Sequence, residues 1–247
     1  MSSTALVVRR GARGRAALAA EAAAVRAAGA RLVDQPEHGT LIEGDDAHYQ
    51  ALEAQGFRVH VYRDTHLVRL ANVTLDLTAP PAVVGASAVP AALAASWPHH
   101  LVQFAGPPLA AWIALLEGRG LEVLGKVSDY AVLVTGSPAA VAAAAADAAA
   151  HVTWTSPMQP AWRIHRALVG ATGTIKNLRA VVYPPERADD VAAAITGAGG
   201  TIVQRHDAVP GRAGAPANLF AEVPAAAVAA LAREPYVQAL EYAGPTA

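Results

Sequence analysis

Two adjacent histidines, His99 and His100, head the stretch HHLVQFAGPPLAAW. A histidine pair beside a Gly-Pro-Pro turn is the first place to look for metal binding or acid–base chemistry. The surrounding pattern places the pair at the start of a strand, where neighbouring side chains point to opposite faces, so the two rings do not converge on one ion. The sequence has no HExxH, and His60 and His66 are separated by a strand end. Nucleophilic catalysis asks for a Ser, Thr or Cys presented beside a base. GASA at Gly85 falls in a connector, SDY at Ser128 falls in a hairpin turn, and GxSxG is missing. Asp45-Asp46 and Asp189-Asp190 pair carboxylates at helix starts, where they accept hydrogen bonds from free amides and favour the helix dipole. GARG, GRG, GATG and GAGG fit neither GxGxxG nor GxxxxGK[ST] and read as turn glycines. Trp97, Trp112, Trp154 and Trp162 read as core or seam anchors, since no basic residues interleave with them. From the residues alone, no catalytic, cofactor-binding or metal-binding group is expected.

Composition limits the partners. The formal net charge is -1, from 19 basic and 20 acidic residues dispersed along the chain, which leaves no basic footprint for nucleic acid. Apolar residues make up 53% of the 247, enough to fold around a sizeable core. The absence of cysteine removes disulfides and thiolate metal sites without fixing a compartment. The start, MSSTALVVRRGARGR, lacks a signal-peptide core, and the alanine-rich run 139–150 is too short and too weakly apolar to span a bilayer, so no membrane insertion is expected.

The elements that must position these residues recur three times. ALVVRR, an alanine-rich helix carrying Leu18, Ala22 and Val25, GARLVDQ, TLIEGD, a helix with Tyr49 and Leu52, and FRVHVY read as βαββαβ. The order returns in HLVQFAG, the helix with Trp112 and Leu116, LEVLGKVSD, YAVLVTG, a helix opened by Ser137-Pro138, and HVTW. It returns again from LRAVVYPP to VQALEYA. In each copy a glycine closes the first helix just before the second strand, as a left-handed cap requires. The expected fold class is therefore α+β, with three tandem ferredoxin-like βαββαβ domains built on antiparallel sheets, both helices of each on one face. The expected boundaries are 4–64 for the first repeat, 65–97 for an extra hairpin and Pro/Ala-rich connector, 98–157 for the second repeat, 158–176 for a linker and 177–244 for the third. The surplus hairpin, HLVRLANVTLDL, needs a larger sheet of its own chain or of a neighbour, because an isolated two-stranded ribbon is marginal in water.

The second copy, from HHLVQFAG to TSPMQPAWRI, resembles the N-terminal propeptide-like region of some bacterial subtilisin-type serine proteases. That region also runs strand, Gly-Pro turn, Trp-bearing helix, Gly, hairpin, helix and V-x-W strand. The third copy, ending ALAREPYVQALEYAGPTA, is similar to the close of the subtilisin-propeptide inhibitor family. Family members usually precede a catalytic domain with Asp, His and Ser blocks that this sequence does not contain, so the resemblance implies a stand-alone relative. It implies an extracellular setting, a subtilisin-type protease as partner, and a binding segment at Glu241, Tyr242, Thr246 and Ala247. Pro245, which has no amide hydrogen, would interrupt β-pairing of that tail.

Two roles follow as expectations. The first is a non-catalytic protein-interaction or structural protein, not an enzyme, that self-assembles or binds partners through its sheets and an added strand. Leu67, Val73, Leu75 and Leu77 are its candidate contact residues, on the expectation that Leu75 is buried against another subunit. The second is a stand-alone inhibitor or folding assistant of a subtilisin-type protease. A small-molecule regulatory domain is a third idea that no polar constellation supports.

Overall fold

The computed structural model describes residues 3–9, 15–37, 39–79, 88–208 and 215–244. The chain is α+β, with three four-stranded antiparallel sheets and one two-stranded sheet. The first sheet is built from β1 (Ser3–Arg9), β2 (Arg31–Asp34), β3 (Thr40–Gly44) and β4 (Phe57–Tyr62), with α1 (Arg15–Ala27) after β1 and α2 (Asp46–Ala54) after β3. β5 (Leu67–Arg69) and β6 (Thr74–Asp76) form the hairpin that the alternation around Ala71-Asn72 predicts. The second sheet holds β7 (His99–Phe104), β8 (Glu122–Ser128), β9 (Ala131–Thr135) and β10 (Val152–Pro157), with α3 (Ala110–Gly118) and α4 (Pro138–Ala146). The third holds β11 (Thr174–Val182), β12 (Thr201–His206), β13 (Ala217–Pro224) and β14 (Val237–Tyr242), with α5 (Ala188–Gly197) and the four-residue α6 (Val228–Leu231).

The strand orders are β2-β3-β1-β4, β10-β7-β9-β8 and β12-β13-β11-β14, so in every sheet the first and third strands are central and the second and fourth are edges. Each sheet buries one face under its helices. Ala5, Val7 and Ile42 meet Val25 and Leu52, and Phe104 and Val134 meet Trp112, Leu116 and Val141. Leu178, Ala180, Leu219 and Val223 meet Val191, Ile195 and Leu231. Gly29, Gly120 and Gly199, with φ of 81°, 81° and 82°, turn the chain from each first helix into each second strand, as the glycine spacing predicts. Asp45 caps α2 by accepting from the amides of Ala47 and His48, while Asp189 and Asp190 lie in the first turn of α5, bonded to Arg205 and Arg187. The paired aspartates thus act at helix starts.

The segment expected as a linker is packed instead of loose. Residues 160–163 and 166–168 form 3-10 turns that bury Trp162, Arg163 and Leu168, and β11 begins at Thr174. The reason is composition: Met158, Trp162 and Leu168 offer too much apolar surface to leave in water. Gly85, Ala86 and Ser87 of the GASA stretch lie outside the described residues.

Candidate functional site

The two histidines end in different environments, as alternation along β7 requires. Nε2 of His100 lies 2.9 Å from the carbonyl of Trp97. His99, on the other face, has Nδ1 3.3 Å from Nη2 of Arg163. The Arg163 guanidinium stacks 4.2 Å from the centre of the Trp97 ring and donates from Nη1 to the carbonyl of Glu234 at 2.9 Å. Trp97 in turn donates from Nε1 to the Met158 carbonyl at 3.0 Å. This cluster lies where the second sheet meets the third. Burial, with Arg163 beside it, pushes His99 down to about 3, and burial lowers Arg163 to about 9. A neutral ring therefore faces a cation that no carboxylate neutralises among the described residues; the Pro235 backbone also bonds the His99 ring, and Nε of Arg163 is left unpartnered there. Such a group is a poor general base; its contacts tie Trp97 and His99 to the Glu234 carbonyl through Arg163. Arg163 is the residue that reading by motif passes over, since a lone arginine in a connector carries no pattern.

The hairpin lies over the face of the second sheet that the helices leave open. Val68 and Leu75 pack on Leu101, Ala131, Leu133, Met158 and Trp162, with Leu70, Val73 and Leu77 around them. Asn72 donates to the Ala161 carbonyl at 2.6 Å, and the amide of Arg69 reaches Oγ of Ser128 at 3.2 Å. Leu75 is 1% exposed. Leu67, Val73 and Leu77 are half-buried. The apolar face expected to bury itself in another subunit is occupied by the chain's own second sheet, because the open face there is itself apolar and needs a cover. At the other end, Arg179 pairs with Glu241 across β11 and β14, and Tyr242 is exposed. Thr246 and Ala247 lie outside the described residues.

A cleft of about 310 Å³ opens between the first sheet, the hairpin and the second sheet. Its lining includes Thr4, Arg31, Glu43, His66, Thr78 and Trp154. Arg31 and Glu43 neutralise each other across its wall. Nearby, Nε1 of Trp112 donates to Oδ2 of Asp34 at 2.6 Å, joining α3 to the first sheet. Among the described residues no three His, Asp or Glu side chains gather to hold a metal ion, and no helix is long and apolar enough to cross a membrane.

The six edges of the three four-stranded sheets differ in a way the sequence does not display. β2 carries Val33 as an extra residue between Leu32 and Asp34 against β3. β8 carries Leu124 and Val127 as extras, β10 carries Thr153, β12 carries Val203 and β14 carries Gln238. β14 is also capped, as Ile164 bridges to Leu240 and the His165 amide donates to the Leu240 carbonyl at 2.8 Å. β4 alone among these edges pairs regularly, in six consecutive steps from Thr4↔Tyr62 to Arg9↔Phe57. Its outer edge has no partner strand among the described residues. The one legible signal was the unbroken alternation of FRVHVY, free of Gly and Pro.

A family model described as a domain of unknown function (DUF8729) matches residues 69–159, under half of the chain. The matched span joins most of the hairpin to the whole second sheet and holds much of the core beneath that hairpin, Val68 and Trp162 lying just outside it. No curated protein and no solved structure matches.

Proposed function

We propose that the chain is three tandem ferredoxin-like units forming a non-catalytic protein-interaction module that accepts a strand from a partner or from another copy. The observation that carries this reading is the β4 edge. Among the described residues, five of the six edges of the four-stranded sheets bear bulges, which twist a strand away from further pairing, and β4 bears none. A six-residue edge with unpaired amides and carbonyls is a template for strand addition. The clamp of Trp97, His99 and Arg163 supports a fixed arrangement of the second and third units, which suits presentation of a surface more than turnover of a substrate.

The test is to titrate isotope-labelled protein with strand-forming hexapeptides of alternating polar and aliphatic residues while following backbone amides. Amides of Phe57–Tyr62 should shift while those of β12 stay still. Shifts spread over all edges, or none in β4, would count against the reading. Light scattering over a concentration range shows whether the added strand comes from a second copy.

A second reading, inhibition of a subtilisin-type protease, draws on the resemblance and on the exposure of Tyr242 at the end of β14 (45%). Inhibition that fails on deleting Gly244–Ala247 and survives Arg187→Ala would support it.

A further inference from the structure

We infer that the strand received at β4 bears acidic side chains on one face and aliphatic side chains on the other. This rests on the reading of β4 as a docking edge. Along β4 the side chains of Arg58, His60 and Tyr62 share the face turned away from the helices. Phe57, Val59 and Val61 share the helix side and join the first core. Arg58 and His60 are exposed. Among the described residues neither Arg58 nor the next arginine, Arg63, makes an ion pair. No carboxylate lies on the strand itself.

An antiparallel strand added at this edge sets residues directly opposite one another on the same face. The positions opposite Arg58 and His60 are two apart, so they belong to alternate residues of the incoming segment. A carboxylate opposite Arg58 meets a cation that makes no ion pair among the described residues, and one opposite His60 meets a ring that can donate. Between these positions the incoming side chains turn to the helix side. There Phe57, Val59 and Val61 are only half-buried, and aliphatic groups extend their contact. A second copy of β4 fits less well. Registers that keep the faces aligned set Arg58 against Tyr62, His60 or Arg58 of the other copy, and none supplies a carboxylate.

Three peptides of one length decide the matter: Val-Glu-Val-Glu-Val-Glu, the same peptide with Lys for Glu, and the same with Thr for Glu, each capped at both ends. With the intact chain, the acidic peptide should bind at the β4 amides about tenfold more tightly than the lysine peptide at moderate salt, the gap closing as salt is added. Joint replacement Arg58→Glu and His60→Glu should invert the order. Arg58→Gln with His60→Gln should flatten it. Both sites are exposed, and circular dichroism checks that the fold persists. Equal binding of all three peptides at β4 would leave strand addition standing and overturn the acidic preference. Binding of none would overturn the docking edge itself. A concentration-dependent dimer with shifts in β4 would identify a second copy as occupant and overturn the acidic partner.

Discussion

The outer faces of the second and third sheets start from the same strand order and end in opposite states. On the second, the cross-strand pair Leu101↔Leu133 leads an apolar face, and the chain clothes it with the hairpin and with Met158 and Trp162. On the third, the corresponding pair is Arg179↔Phe220, flanked by Glu241, Gln204 and His206. Arg179 bonds Glu241, the His206 ring lies 5.3 Å from that of Phe220, and Gln204 and His206 are exposed. Outer-face composition decides whether a sheet of this kind must find a cover. Leucines opposite each other demand one; an arginine paired to a glutamate is content in water.

The largest loss of stability is expected from a change in the cover itself. Leu75→Asp sets a carboxylate among Leu101, Leu133 and Trp162. It should cost at least about 3 kcal/mol, from lost apolar burial and from desolvation of the charge. Urea unfolding checks it, and an unchanged midpoint would mean that the hairpin does not clothe the sheet. Next in size is the residue that ties this cover to the third sheet. Arg163→Ala forfeits the stacking on Trp97 and the bond to Glu234 and should cost about 2 kcal/mol. Arg163→Met should cost less, since it fills the space while removing a buried cation that no carboxylate among the described residues balances.

Much of this was legible before any coordinates. The three rounds of strand and helix, the glycine at each first helix end and the hairpin around Asn72 rest on local pattern: periodicity, turn chemistry and caps. The hairpin's destination was not legible, because Val73, Leu75 and Leu77 announce only that one side needs covering, not whose sheet provides it. Arg163 was illegible for a related reason. Its role arises from Trp97, His99 and Glu234, which lie 64 to 71 positions away along the chain for His99 and Glu234 and meet it only in the packed structure. The bulges that separate β4 from the other edges depend on register between strands, which the composition of one strand does not encode, Gly125 in β8 being a partial exception.

The clamp makes stability depend on pH, since His99 belongs to the clothed face and its ring is buried. Above about pH 6.5 the ring is neutral in folded and unfolded chains alike. Below that value the unfolded chain takes up a proton that the folded chain, with His99 held down to about 3, refuses. Stability is therefore fully present above the unfolded value and is lost as pH falls toward the folded one, by up to about 1.4 kcal/mol per pH unit. Burial lowers His100 as well, which acts in the same direction. Urea midpoints from pH 7 to pH 4.5 should fall, and His99→Gln should flatten part of the slope. The same slope in both proteins would show that His99 is not held neutral.

The smallest effect is expected on the bare face, and it tests the comparison from its other side. Phe220 is half-buried, touches His206 and stands opposite Arg179 across the sheet. Phe220→Asp loses part of an aromatic contact, yet the new carboxylate remains partly in water and stands opposite a cation that is already held at one side by Glu241. The two contributions oppose each other, so the change should stay within about 1 kcal/mol. Leu133→Asp at the corresponding place in the second sheet, buried under Val68, Leu75 and Trp162, should cost several times more. Urea unfolding of the two variants side by side measures the ratio. Equal losses would mean that the third sheet's face is covered in solution, by a second copy or a partner, and that polarity alone does not set which face stays open.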